Sequence, residues 1–309
     1  MSTGSKPAVL AALVGNLAIA VFKLIAALAS GSSAMLAEAY HSFSDTFNQV
    51  FLLVGISLSK KPPDRLHPFG YGKEQFFWAF IVSLMLFGIA GGLSIREAYH
   101  KFQHPEPLGD VTLSFIVLAV AFVIESIALS IAVRQFRREM KSERFEDLVE
   151  GIQHTKDPMV LTVIFEDTLA LVSIVVAAVS ILLSVRTENP MFDAFGSLII
   201  GILLMVFALI LANENKKLLI GESVTPYRRR KALEAIESIP EVNQVISLRT
   251  LQMGPTNAIV AAEVNLQDDL VTDQIETIID RIEAGIREVL PRAQCFIEVE
   301  QEEAEKPIP

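Results

Sequence analysis

The sequence predicts an α-helical membrane domain of six spans followed by a small cytoplasmic α+β domain, and three observations carry that reading. Hydrophobic residues make up 51% of the chain, and the mean hydropathy is +0.45, which is high for an ordinary soluble protein. The apolar residues gather into six segments, 8–30, 33–58, 75–98, 111–133, 159–183 and 191–212. Each is long enough to cross a hydrocarbon core ~30 Å thick, which takes about 20 apolar residues. From residue 221 onward the composition changes to that of a small soluble domain. The expected division is therefore 1–220 for the membrane and 221–309 for the second domain.

The first span, 8–30, is too long for the apolar core of a signal peptide, and no small-residue cleavage site follows it, so it reads as a retained helix. The turn Ser-Gly-Ser-Ser joins it to the second span. The loop Lys-Lys-Pro-Pro-Asp-Arg-Leu-His-Pro-Phe-Gly-Tyr-Gly-Lys-Glu-Gln, 60–75, leads into the third. Between the fourth and fifth spans, Phe145, Leu148 and Ile152 recur at helical spacing. That stretch reads either as an amphipathic helix lying on the surface or as a solvated connector. In the second domain, Tyr227–Ile239 and Val271–Leu290 read as helices. The stretches 242–253, 257–266 and 293–301 alternate like strands, with Gly254 and Pro255 between the first two. The order is α-β-β-α-β.

Lys and Arg set the orientation. Lys60, Lys61, Arg65 and Lys73 follow the second span, six basic residues from Arg134 to Lys156 follow the fourth, and Lys216 and Lys217 follow the sixth. The opposite loops hold little beyond Arg96, Lys101 and Arg186. An excess of cations on the cytoplasmic side puts both termini in the cytoplasm of a multi-pass protein, expected in the cell (inner) membrane. Residues 221–309 hold 17 Asp and Glu against 9 Lys and Arg, which disfavours nucleic acid as a partner. The single cysteine, Cys295, excludes an intrachain disulfide and a multi-cysteine metal site.

The second span carries polar groups where apolar ones are expected. His41 and Asp45, four residues apart, fall on one helix face. At about 1.5 Å per residue, they lie roughly 12 and 18 Å from the outer surface. By the same count Glu125 of the fourth span lies roughly 21 Å down, and Asp167 of the fifth roughly 12 Å from the inner face. All sit near the midplane, where ionisable groups are costly and usually mark a site. An imidazole with carboxylates at one depth suits a divalent cation or protons. The competing explanation is a buried hydrogen-bond network joining helices. Asn16 and Asn48 read as interhelical hydrogen bonders. Lys23 is expected to snorkel toward the outer surface, and Glu38 to line an entry path or meet headgroups. His100, His104 and His154 read as solvated.

Taken together, the six spans, His-Ser-Phe-Ser-Asp at 41–45, His-Pro-Phe-Gly-Tyr-Gly-Lys at 67–73, Phe-Glu-Asp-Thr at 165–168 and the α-β-β-α-β domain resemble the cation diffusion facilitator family. The resemblance covers roughly residues 8–301. Phe-Glu-Asp-Thr, the long inner loop and Asn-Glu-Asn-Lys-Lys-Leu-Leu-Ile-Gly-Glu-Ser resemble its zinc-transporter-9-like branch most. The resemblance implies a homodimer that exports a divalent metal, usually zinc, in exchange for protons. The metal is then cargo and no cofactor is implied; the partners are the metal, protons, membrane lipid and a second copy.

The family draws two transport ligands from the second span, matching His41 and Asp45, and two from the fifth, of which Asp167 matches one. At the fourth position, where many members have histidine, this chain has Val163, which cannot ligate. Glu166 lies about 100° around the helix from Asp167 and about 60° from Val163, and is the expected replacement. Glu125 and a water are the alternatives. A carboxylate there makes the site harder, which moves preference toward manganese, iron or cobalt while His41 keeps zinc in view. The family's loop site corresponds to Asp64 and His67, with Tyr71 where some relatives have another histidine; a structural turn is the other reading. Lys73 matches a lysine that ties helices together near the family's dimer interface. Many relatives bind zinc through histidines of the second domain, but residues 221–309 contain none. Strand alternation places Cys295 opposite Glu298 and Glu300, so no metal site is expected in this domain.

An intramembrane metal-dependent hydrolase would need a catalytic water, a base and a ligand motif such as His-Glu-x-x-His. No such motif occurs, so enzymatic activity is not expected. A non-transporting scaffold of the same fold is the remaining alternative, given Val163.

Overall fold

A computed structural model describes residues 6–143 and 158–300. The stretch holding Phe145, Leu148, Ile152 and His154 lies outside the described residues. The helices are α1 (Lys6–Ser30), α2 (Ser33–Ser59), α3 (Glu74–Gln103), α4 (Thr112–Glu143), α5 (Pro158–Thr187) and α6 (Met191–Ile220). They are followed by α7 (Pro226–Glu237), β1 (Val242–Gly254), β2 (Asn257–Leu266), α8 (Thr272–Val289) and β3 (Arg292–Val299).

Segments of α1, α3, α4, α5 and α6 are long and apolar enough to cross a membrane. Their outward faces are apolar, as lipid contact requires: Val14, Phe22 and Leu28 on α1, and Ile116, Val123, Ile127 and Ile131 on α4, are all exposed. The sixth span, α2, has the length but not the apolarity. Its Glu38, His41, Ser42, Ser44, Thr46 and Asn48 are buried, so its polar groups are hidden from lipid by the other helices. The bundle core is aliphatic, built from residues such as Met35, Leu86, Leu118, Leu169, Ile181 and Leu204.

Small residues let the backbones approach. A side chain on Gly201 would put its Cβ 2.8 Å from Ile95 Cγ1 and 3.1 Å from the Gly91 carbonyl, so glycine is what permits the α3–α6 contact. Gly91 closes a π-helical turn, Leu86–Gly91, inside α3. The α1–α2 turn needs a left-handed residue, and Gly31 (φ 65°) supplies it. Its N–H closes helix α1 on the Ala27 carbonyl at 2.8 Å.

The chain divides into two units. The first holds residues 1–56, 77–137 and 159–215. The second holds the C-terminal elements together with 57–76, the segment spanning the α2–α3 loop. In it, β1 and β2 form an antiparallel hairpin, with Gly254 paired to Asn257 across Pro255 and Thr256. Strand β3 joins β2 in parallel, giving the order β1-β2-β3. The apolar residues of β2 and α8 meet: Val260, Ala262, Val264, Ile278, Ile282 and Ile286 form a closed core. Helix α7 starts at Thr225, whose hydroxyl accepts from the Arg228 N–H at 3.3 Å, with Pro226 in its first turn.

Candidate metal site

Helical periodicity sets His41 and Asp45 one turn apart on the inner face of α2. His41 Nδ1 lies 3.4 Å from Asp45 Oδ1. His41 is completely buried, and among the described residues neither of its ring nitrogens has a hydrogen-bond partner. Asp45 Oδ1 and, on α5, Asp167 Oδ2 are likewise buried without partners. Leaving such atoms unpaired costs about 1–3 kcal/mol each, and more when they are charged. Three residues singled out from sequence therefore carry unused bonding capacity at buried atoms.

One turn further along α2, the fully buried Asn48 donates from Nδ2 to Glu166 Oε1 at 2.8 Å. That bond joins α2 to α5 and turns Glu166, 7% exposed, toward the polar face of α2. Asn48 thus acts between helices, as expected of an amide in a span. Asp45 lies within electrostatic reach of Glu166, Glu125 and Asp167, so the four carboxylates form one electrostatic group. Val163, one turn before Asp167, is half-buried. Among the described residues, no three His, Cys, Asp or Glu side chains are already disposed to hold a metal ion.

Two expectations are corrected. Lys23 does not snorkel: it is fully buried, and its Nζ donates to Glu38 Oε2 and to Ser42 Oγ, each at 2.8 Å. Glu38 does not meet headgroups, because it too is fully buried in this ion pair. A carboxylate offered from α2 satisfies the ammonium without a stretch to the surface. His100 and His104 are exposed, as read from sequence.

A buried carboxylate not singled out from sequence is Asp193, at the start of α6. It caps α2: Asp193 Oδ2 accepts from the Ser33 N–H at 2.6 Å and the Ser33 hydroxyl at 2.8 Å, and Oδ1 from the Ala34 N–H at 3.3 Å. A negative charge at a helix N-terminus is favourable, and here it fixes the helix that carries His41 and Asp45. The local signal, an Asp in the first turn of an apolar helix, reads as serving its own helix.

In the α2–α3 loop, Asp64 Oδ1 accepts from the N–H groups of Leu66 (2.9 Å) and His67 (2.7 Å), while the Tyr71 hydroxyl donates to Oδ2 at 2.6 Å. These bonds, the Tyr71 hydroxyl foremost, hold the Asp64 carboxyl below its ordinary range. His67 stacks on Tyr71 with ring centroids 4.2 Å apart. Both Asp64 oxygens thus serve a hydrogen-bonded turn. Lys73 donates to the Leu219 carbonyl at 3.1 Å, placing a cation on the last turn of α6, where the helix dipole favours one.

In the C-terminal domain, Cys295 points toward the core, packed with Ile297 against it, while Phe296 faces out. Burial pushes its thiol up, which disfavours the thiolate that metal binding needs. Residues 221–309 alone should show no zinc-dependent change in melting temperature at micromolar metal. A rise of several degrees would reveal a site built from Cys295 or the acidic strand.

Two family descriptions match the chain: the cation efflux transmembrane domain over residues 9–220 and the cation efflux protein cytoplasmic domain over 227–302. The chain is 31% identical over 251 residues to "Proton-coupled zinc antiporter SLC30A9, mitochondrial" of Mus musculus, covering 81% of this chain and 44% of that protein. It is 29% identical over 267 residues to "Metal tolerance protein C4" of Arabidopsis thaliana, covering 86% and 58%. It is 26% identical over 294 residues to "Cation-efflux pump FieF" of Escherichia fergusonii, covering 95% and 91%. The chain thus spans about half the length of the first two of these relatives.

Proposed function

The chain belongs to the cation efflux family, in its zinc-transporter-9-like branch, and from that premise we propose that it exports zinc from the cytoplasm in exchange for protons. The cargo is bound by His41, Asp45, Asp167 and Glu166. The protein acts as a homodimer in the cell (inner) membrane with both termini cytoplasmic.

The observation that carries this reading is the set of unpaired buried atoms on His41, Asp45 and Asp167. A network serving only to join helices would bond these atoms across the helices, as the Asn48 amide nitrogen bonds Glu166. The name of the mouse relative, a proton-coupled zinc antiporter, supports the same cargo and coupling. Because no three candidate ligands among the described residues are already disposed around one point, loading requires side chains of α2 and α5 to converge on the ion. The inward-facing site loads zinc, and the outward-facing site releases it as protons arrive, by rocking of helix groups around a midplane site. The bonded turn of Asp64 and His67 serves structure rather than metal.

The test is flux in sealed liposomes with an imposed pH gradient, across zinc, manganese, iron(II) and cobalt. Zinc should accumulate against its own gradient while protons flow the other way, and dissipating the proton gradient should stop accumulation. Zinc flux indifferent to the gradient would overturn antiport. Absence of flux for all four ions would leave the scaffold reading.

A further inference from the structure

The α1–α2 turn is held by two buried charged side chains that the metal site does not use. Lys101, near the end of α3 and 6% exposed, donates from Nζ to the Gly31 carbonyl at 2.9 Å, just past the end of α1. Asp193, at the start of α6 and fully buried, accepts from the Ser32 hydroxyl and from the N–H and hydroxyl of Ser33, where α2 begins. A cation thus meets the carbonyl end of one helix and an anion the N–H end of the next, the pairing that helix dipoles favour. One short turn is gripped from α3 and from α6 together.

Bonds elsewhere sort the six helices into two groups. Helices α3 and α6 are joined to each other by the close approach at Gly201 and by the Ser197 hydroxyl, which donates to the Ser94 carbonyl at 2.9 Å. Helix α1 is joined to α4 through Ser114 and Ser30 (3.2 Å) and to α2 through Lys23 and Glu38 (2.8 Å), while Asn48 and Glu166 join α2 to α5 (2.8 Å). Lys101 and Asp193 belong to the first group and clasp a turn of the second, which carries His41, Asp45 and Asp167. Burial along α2 is uneven about that site. Toward the clasp, Ser33, Met35, Glu38 and Ser42 are buried. On the other side of His41, Asp45 keeps its side chain 16% exposed. The site is closed on the side where the clasp sits, which is the outer side in the proposed orientation.

We infer that Lys101 and Asp193 form the outer gate of the transport path. They hold α3 and α6 against the α1–α2 turn while the site loads from the inside, and they part when it releases its ion outward. Polar bonds suit a contact that must open and close. The carboxylate, the ammonium, the serine hydroxyls and the two helix ends are all taken up by water on opening, so one set of hydrogen bonds is exchanged for another. An apolar seam would instead expose surface that water disfavours. The inference rests on the transport reading and its orientation. Neither residue is a zinc ligand; both act by setting access.

The test locks the gate with a disulfide. In a full-length protein carrying Cys295→Ser, the pair Ser32→Cys/Asp193→Cys replaces two side chains that touch directly. After oxidation with diamide, zinc binding measured by calorimetry in detergent should match that of the Cys295→Ser protein, because the site loads from the opposite side. Zinc flux in liposomes should fall roughly tenfold or more, since opening then limits turnover, and a reductant should restore it. A tie that only stabilises the fold predicts no loss on oxidation, and an oxidised pair with the flux of its reduced form overturns the inference. Should the pair fail to fold, Lys101→Met carries the test. It loosens the closed state, so zinc efflux in the absence of a proton gradient should rise roughly threefold or more, whereas loss of structure alone lowers it. No rise there overturns the inference equally. A Cys295→Ser protein that moves no zinc at all would instead sink the transport reading.

Discussion

Asp45→Ala is expected to abolish the proposed zinc transport while leaving the protein folded. Asp45 Oδ1 is buried, has no hydrogen-bond partner among the described residues, and lies 3.4 Å from His41 Nδ1. On the proposed assignment, removing this carboxylate removes a ligand and leaves a small cavity beside an imidazole that already lacks a partner. Losing groups that merely orient metal ligands costs 10–100-fold, so losing a ligand should cost roughly a hundredfold or more in flux. The fold should survive, because the carboxylate bonds nothing whose loss would open the bundle, and truncation lightens a crowded acidic site. Size exclusion and melting temperature check the fold, and liposome flux checks the function. Flux equal to the parent's, from a folded protein, would remove Asp45 from the site.

What was legible in the sequence was whatever depends on local period. The four-residue spacing of His41 and Asp45 is enough to put both on one face of α2. The alternation of 257–266 placed Val260, Ala262 and Val264 in a core. Asn48 was readable as an interhelical donor because an amide inside a span has few other uses. What depends on a neighbouring helix was not legible. A lysine near a span end reaches for water unless an acid meets it first, and the acid that meets Lys23 sits fifteen residues away on α2. Asp193 bonds the start of a helix 160 positions earlier, and nothing near residue 193 announces that. The Asp64 turn is an intermediate case: Asp and Gly marked a turn, but only the Tyr71 hydroxyl and two N–H groups on its carboxylate show both oxygens already in use.

In the proposed antiport, the fourth ligand decides how protons are coupled. Zinc binds deprotonated groups, so affinity falls as pH falls and protons displace the ion. Where histidine occupies the position of Val163, part of that competition falls near the ordinary imidazole range, about pH 6.5. With valine there, the protons of the proposed exchange would come from His41, Asp45, Asp167 and one further carboxylate. Val163→His should therefore steepen the loss of zinc affinity between about pH 7 and 6, and shift metal preference toward zinc over manganese. A Val163→Ile control should change neither. Which carboxylate completes the site follows from two neutral replacements. Glu166 is buried on α5 and held toward α2 by Asn48, whereas Glu125 stands on α4 and is only partly buried. Glu166→Gln keeps the shape and can still bond Asn48, yet it removes an ionisable carboxyl from beside Asp45. It should lower zinc flux at least tenfold, as loss of a ligand does, and Glu125→Gln should lower it less. The reverse ranking would move the fourth ligand to α4. Equal and negligible effects would put water there, since a carboxylate that neither binds the ion nor carries its protons can be neutralised without changing the rate.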